Sequence, residues 1–196
     1  MAVKLWTVHF MRICVANLLL FISLYVLFPV LSVEMADRLG VPAAQTGVIF
    51  LFFTLGMFLI GPFHAYLVDE YKRKHVLLYS ALIMLAAVLG YAFVDGYTKF
   101  LLLAAVQGAC FGLATTAGIT VAIDITTSAR RSAGNMVYAW AARLGMLVGV
   151  VLGIGMYKMY GFRMVTYLSV AAGLASIFFA SRVYVCLLYT SPSPRD

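Results

Sequence analysis

Charge is what this 196-residue chain most conspicuously lacks. Only 11% of its residues are Asp, Glu, Lys or Arg, and only seven are acidic. With 64% hydrophobic residues and a mean hydropathy of +1.01, a water-soluble globule would have too little polar surface to enclose its core. Three cysteines, Cys14, Cys110 and Cys186, are odd in number and widely separated, which argues against a disulfide framework and against a metal site. No serine–histidine pair in a G-x-S-x-G setting and no paired aspartates lie within the apolar runs, so the chain is not read as an enzyme, and no cofactor is expected. The net charge of +7 could suit nucleic acid, but the basic residues gather at the ends of apolar segments, where membrane topology accounts for them. No nucleic-acid partner is expected; the lipid bilayer is.

What the chain has in abundance is apolar length. Runs of about twenty residues, enough to cross about 30 Å of hydrocarbon as helix, fall near residues 10–33, 46–66, 76–94, 99–123, 134–157 and 164–182. The expectation is an all-α, multi-pass membrane protein with six transmembrane helices. Short polar breaks such as "VDGYTK" and "YKMYGFR" make successive helices antiparallel neighbours. Eight basic residues, Lys4, Arg12, Lys72, Arg73, Lys74, Arg130, Arg131 and Arg182, fall on one side of the membrane. Four, Arg38, Lys99, Lys158 and Arg163, fall on the other. That bias puts the N-terminus in the cytoplasm, with the first span a retained signal anchor.

The last eleven residues, "CLLYTSPSPRD" from Cys186 to Asp196, break with everything before them. They resemble the in-frame translation of a transposon-type sequencing adapter. On that basis residues 1–184 are expected to form the membrane domain, 185–196 to be a non-native tail, and the natural protein to continue.

Five charges and a histidine crowd into "LVDEYKRKHVLL", Leu67 to Leu78, between the second and third spans. Asp69 and Arg73 are four apart and can pair on a helical turn, while Arg73, Lys74 and His75 suit an anionic inner surface. This stretch resembles the loop signature of the major facilitator superfamily, matching at Leu67, Asp69, Arg73, Lys74 and Leu77. It departs at Ala65, Glu70 and Lys72. The resemblance extends from Trp6 to Arg182 through span count, loop lengths, "AIDITTSARR" and "YGFR", and is nearest to sugar-efflux and drug-efflux members.

The resemblance implies the N-terminal half of a twelve-helix secondary transporter, two three-helix inverted repeats that rock against a missing C-terminal six-helix half around a small-molecule substrate at the midplane. It further implies a cytoplasmic gate of Asp69, Arg73 and Asp124, with Lys74 beside it, and a bacterial inner membrane as the location. Efflux of a small organic solute is the expected activity. The alternatives are a self-contained six-helix channel-like protein and a non-transporting membrane scaffold.

In the fourth span "AAVQG" keeps Gln107 and Gly108 of the family's R-x-x-Q-G but has Ala104 at the arginine position. In the fifth, "GMLVGVVLG" keeps Gly145, Gly149 and Gly153 without the proline of the antiporter pattern. Those glycines, with Gly108 and Gly112, are expected to pack helices closely.

Arg143 lies nine residues after Gly134, about 13.5 Å along a helix and so near the midplane. An arginine there costs about 2.5–3.5 kcal/mol on insertion scales and calls for a cavity or a partner. With Asn17, Gln107, Thr115, Thr116 and Tyr25 it makes up the candidate substrate path. Bonding between helices is the competing role for each of these polar groups. His64, near the end of the second span, is expected to be an interfacial histidine.

Overall fold

The computed structural model describes residues 6–184; Ala43 and Ala44 are described by backbone alone, and the 185–196 segment lies outside the described residues. The described residues form helices joined by short turns. α1 (Val8–Leu39) starts where the Thr7 hydroxyl accepts the Phe10 N–H at 3.2 Å. It ends at Gly40, whose left-handed conformation (φ 62) lets its own N–H and that of Val41 return to the Met35 carbonyl. A single short turn, α2 (Ala43–Thr46), leads into α3 (Val48–Glu70). Two residues separate α3 from α4 (Arg73–Phe93); Gly96, at φ 117, then turns the chain into α5 (Tyr97–Asp124). A 3₁₀ turn (Ser128–Arg130) precedes α6 (Arg131–Ser181).

Five helices, α1, α3, α4, α5 and α6, are long and apolar enough to cross a membrane, where the sequence leads one to expect six. The correction has a local cause. α6 runs unbroken through "YGFR" except at Gly161, whose φ of 75 and ψ of −179 leave helical space before the helix resumes at Phe162. Only glycine takes that conformation without strain.

The two arms of α6 run in opposite directions along α1. Before Gly161, numbering rises together: Gly145 abuts Leu18, Gly149 abuts Ile22 and Tyr25, and Gly153 abuts Val26. After it, numbering opposes. Ser169 exchanges hydrogen bonds with Ser23 at 2.6 and 2.7 Å, Ser176 donates to the Ala16 carbonyl at 2.6 Å, and Arg12 donates to the Arg182 carbonyl at 3.0 Å. The expected fifth and sixth spans are thus the two arms of α6, two helices joined across a kink at Gly161; straight, the 51 residues would reach about 76 Å.

The approach between helices is set by missing side chains. A Cβ on Gly153 would lie 2.1 Å from the Val26 carbonyl oxygen, and one on Gly145 2.5 Å from that of Leu18. On the other side of the bundle, a Cβ on Gly108 would lie 1.9 Å from the Phe53 carbonyl oxygen, and one on Gly56 2.0 Å from that of Ala105. Helices in lipid gain contact area through such close approach, because hydrophobicity does not favour helix over lipid tail. α1 is therefore seated in the α6 hairpin, α5 carries α3 on its glycine face, and α4 fills in behind α5 and the second arm of α6, with Gly173 under Leu85.

Proline leaves less trace than glycine. Pro29 and Pro62 both lie inside continuous helices.

Candidate functional site

At the end of the bundle where α1 begins, the chain runs from Glu70 through Tyr71 and Lys72 into α4, and that turn sets Arg73 between two carboxylates. Asp69, one turn earlier, lies 3.6 Å from its guanidinium. Asp124, the last residue of α5, forms a short ion pair with it. Arg73 and Asp124 are largely enclosed, with 31% and 16% of their side chains exposed, whereas Asp69 is 74% exposed. One oxygen of Asp124, Oδ2, is buried and has no hydrogen-bond partner among the described residues. A half-satisfied carboxylate in an ion pair is poised to exchange partners, since an unmet buried acceptor is costly to retain. These residues line a cavity of about 710 Å³, shared with His75 and Tyr184.

Three of the four gate candidates, Asp69, Arg73 and Asp124, thus meet. Lys74 lines the same cavity but makes no ion pair with them. Its Nζ donates to the Ser181 carbonyl at 2.6 Å and lies 5.8 Å from the Tyr184 ring, so it caps the C-terminus of α6 much as Arg12 does from α1.

The opposite end carries a second arginine cluster that the sequence did not reveal. Arg38, in the last turn of α1, pairs with Asp95 and lies 3.8 Å from Glu34. It also donates to the Tyr91 carbonyl at 3.3 Å and the Val94 carbonyl at 3.2 Å, where α4 ends. The Tyr157 hydroxyl approaches Glu34 at 3.4 Å and Asp37 at 3.3 Å from the first arm of α6. Backbone carbonyls, which leave no mark in sequence, supply much of what holds this arginine.

At membrane depth, the polar candidates divide. Asn17 is buried and donates to the Tyr138 carbonyl at 2.9 Å, so it ties α1 to α6; its Oδ1 has no partner among the described residues. Gln107 is buried and accepts the Tyr91 hydroxyl at 2.9 Å, tying α5 to α4. Thr115 and Thr116 return their hydroxyl protons to carbonyls of their own helix, and Gly112 beside them lies against Met57 and His64. Tyr25 is half-buried, stacked on Phe21 at 6.2 Å and 5.6 Å from Phe28, in an aromatic cluster that continues through Phe53 and Phe111.

Arg143 turns away from all of them. Two residues before Gly145, it lies about 200° round the helix from the glycine face that meets α1. It is exposed, with its guanidinium 5.7 Å from the exposed Trp140 ring and no ion pair among the described residues. Gln107 accepts from Tyr91 and Asn17 is held against Tyr138, so neither reaches it. His64, expected at an interface, is 8% exposed and packed between α3 and α5.

No cluster of three or more His, Cys, Asp or Glu among the described residues could hold a metal ion. A family profile described as Major Facilitator Superfamily matches residues 13–196. No curated protein sequence matches the chain.

Proposed function

This chain belongs to the major facilitator superfamily of membrane transporters, which take small-molecule substrates in a lipid setting, and from that premise we propose that it is the N-terminal half of a secondary exporter of a small organic solute, working by alternating access. The observation that carries this reading is the meeting of Asp69, Arg73 and Asp124 across the ends of α3, α4 and α5. In this account the cluster is the cytoplasmic gate: intact, it holds the inner end of the half together, and its opening accompanies the inward-facing state. The N-terminus lies in the cytoplasm, as the excess of basic residues at that end favours, and the membrane is the bacterial inner membrane.

A second six-helix half follows residue 184 in this reading, with the adapter-like tail foreign to the natural protein. Support comes from uneven burial. The apolar windows of α1, α4 and α5 are 50–56% buried, but those of α3 and α6 only 22%. Both sparsely covered helices offer long apolar faces, and Arg143 stands in one of them. A carboxylate at equal depth on the other half, or one carried by the solute, would relieve its cost. A second identical copy docked symmetrically on this face would set Arg143 toward Arg143.

The direct test is to recover the uninterrupted reading frame, reconstitute the full transporter in liposomes and measure solute flux alongside the accessibility of a cysteine introduced at the inner mouth. Asp69→Asn is expected to slow flux by about tenfold and raise inner accessibility. Unchanged flux and accessibility would remove the gate reading. A frame that ends after Asp196 would remove the second half.

A further inference from the structure

Between α3 and α5 lies an open crevice of about 480 Å³, lined by Thr54, Gly61, His64, Gly112, Thr115 and Thr116 among others. That volume suits a small ligand or one moiety of a larger one. Its polar atoms share one property. Thr54 Oγ1 donates to the Phe50 carbonyl at 2.8 Å, Thr115 Oγ1 to those of Phe111 and Gly112 at 3.0 and 2.9 Å, and Thr116 Oγ1 to that of Gly112 at 2.9 Å. Every threonine hydroxyl on the wall therefore has its proton committed to its own helix, and only lone pairs remain to face a ligand.

His64 completes the pattern. Its Nδ1 lies 3.3 Å from Thr116 Oγ1, whose proton is already given to Gly112. With the Thr116 proton on Gly112, the hydrogen in that contact is assigned to Nδ1, which leaves Nε2 as a bare acceptor. Nε2 is buried and has no partner among the described residues. A proton on it as well would make a buried imidazolium with no carboxylate along the crevice to meet it. The side chain is more than nine-tenths buried and lines the crevice.

We infer that the α3–α5 crevice is an acceptor-only subsite that binds a hydrogen-bond-donating group of the transported solute, a hydroxyl or an amine, through His64 Nε2 and the lone pairs of Thr54 and Thr115. This deepens the transporter reading by naming a substrate class. An acceptor-lined wall repels carboxylates and phosphates and offers ethers nothing. Met57, Phe58 and Pro62 also line the crevice, so an apolar surface adjoins the subsite for the body of such a solute. Gly112 is part of the construction: a Cβ there would lie 2.8 Å from His64 Cε1 and 2.7 Å from Met57.

The test is ¹⁵N-histidine NMR of the full chain in lipid nanodiscs, with the His64 signals assigned as those that vanish in His64→Phe. The probes are cyclohexane-1,2-diol, its dimethyl ether, cyclohexylammonium and cyclohexanecarboxylate. Expected are an Nδ1–H tautomer with unprotonated Nε2, and a saturable shift of Nε2 by the diol, by the ammonium or by both. The ether and the carboxylate should have no such effect; whichever donor acts identifies the hydroxyl or the amine as the natural group. His64→Gln, which retains an acceptor at similar reach, should keep donor binding within about threefold, and His64→Phe should weaken it by about tenfold, both read by competition with the bound donor. A proton found on Nε2, a shift by the ether equal to that by the diol, or silence towards both donors would overturn the inference. The tautomer is read on unmodified protein, with His64 assigned independently as the signals that persist in His9→Phe and His75→Phe, so that arm survives misfolding of either His64 variant. Donor binding without flux in liposomes would leave the subsite standing and remove the transporter reading; flux with a silent Nε2 would do the reverse.

Discussion

Both ends of the bundle place one arginine among carboxylates, yet they do so in different ways. At the end that the proposed topology sets outside, Arg38 is held by two backbone carbonyls, an ion pair with Asp95 and the nearby Glu34, and Tyr157 binds the same acidic group from α6. At the other end, inner in that topology, Arg73 has two carboxylates among the described residues, and one of them keeps a buried oxygen unmet. An arginine braced by backbone carbonyls fastens; one whose partner remains short of hydrogen bonds can trade. The difference teaches that acidic and basic residues at helix ends do not share a role merely by sharing a type. The outer cluster is read as a rivet within the half and the inner one as a gate.

The sharpest way to break the comparison is to remove each arginine. Arg73→Ala strands Asp124, which is only 16% exposed, and should abolish the gate: flux falls by about tenfold or more, and thermal stability drops by about 1–3 kcal/mol, less than a fully buried pair would lose. Flux assays beside thermal unfolding in detergent check both. Arg38→Ala should lower stability by about 1–2 kcal/mol through the lost carbonyl bonds, while the balance between inward-open and outward-open states stays as in the unmodified protein. Cysteine-accessibility profiles at the two mouths would show it.

Smaller changes sharpen the same contrast. Tyr157→Phe removes two long hydrogen bonds at 3.4 and 3.3 Å and is expected to shift stability by about 0.5 kcal/mol in a thermal melt. Asp95→Asn alters a carboxylate that is 80% exposed, and should stay within about 0.5 kcal/mol with flux unchanged. If Asp95→Asn slowed flux as strongly as Asp69→Asn, the outer cluster would also be a gate, and the contrast between the ends would fall.

How much of this could be read from the sequence depended on whether the signal was local. The spans were legible because apolar length is, and the pairing of Asp69 with Arg73 because a four-residue spacing closes on a helical turn. Asp124 was placed by resemblance to a family motif. The reversal at Gly161 was legible as a break at "YKMYGFR", but not its abruptness, because a single residue reverses the chain while the turns beside it remain helical. Glu34 stands four residues from Arg38, a legible spacing, but the cluster escaped notice because its other partners are Asp95, 57 residues away, and carbonyls that any residue possesses. His64 looked interfacial by its position in the chain, and its burial against Gly112 and Thr116 could not be read there. Asn17 and Gln107 show the converse: polarity at membrane depth marked them as path candidates, but each is committed to a neighbouring helix.

The central claim is that the inner arginine cluster gates and the outer one does not. The measurement that tests it most directly is a paired accessibility experiment on the full transporter in membranes, with single reporter cysteines at the inner and outer mouths in the unmodified protein, Asp69→Asn and Arg38→Ala. The account expects Asp69→Asn to increase labelling at the inner mouth and decrease it at the outer, with Arg38→Ala matching the unmodified protein at both. Equal shifts in the two variants, or none in Asp69→Asn, would contradict it.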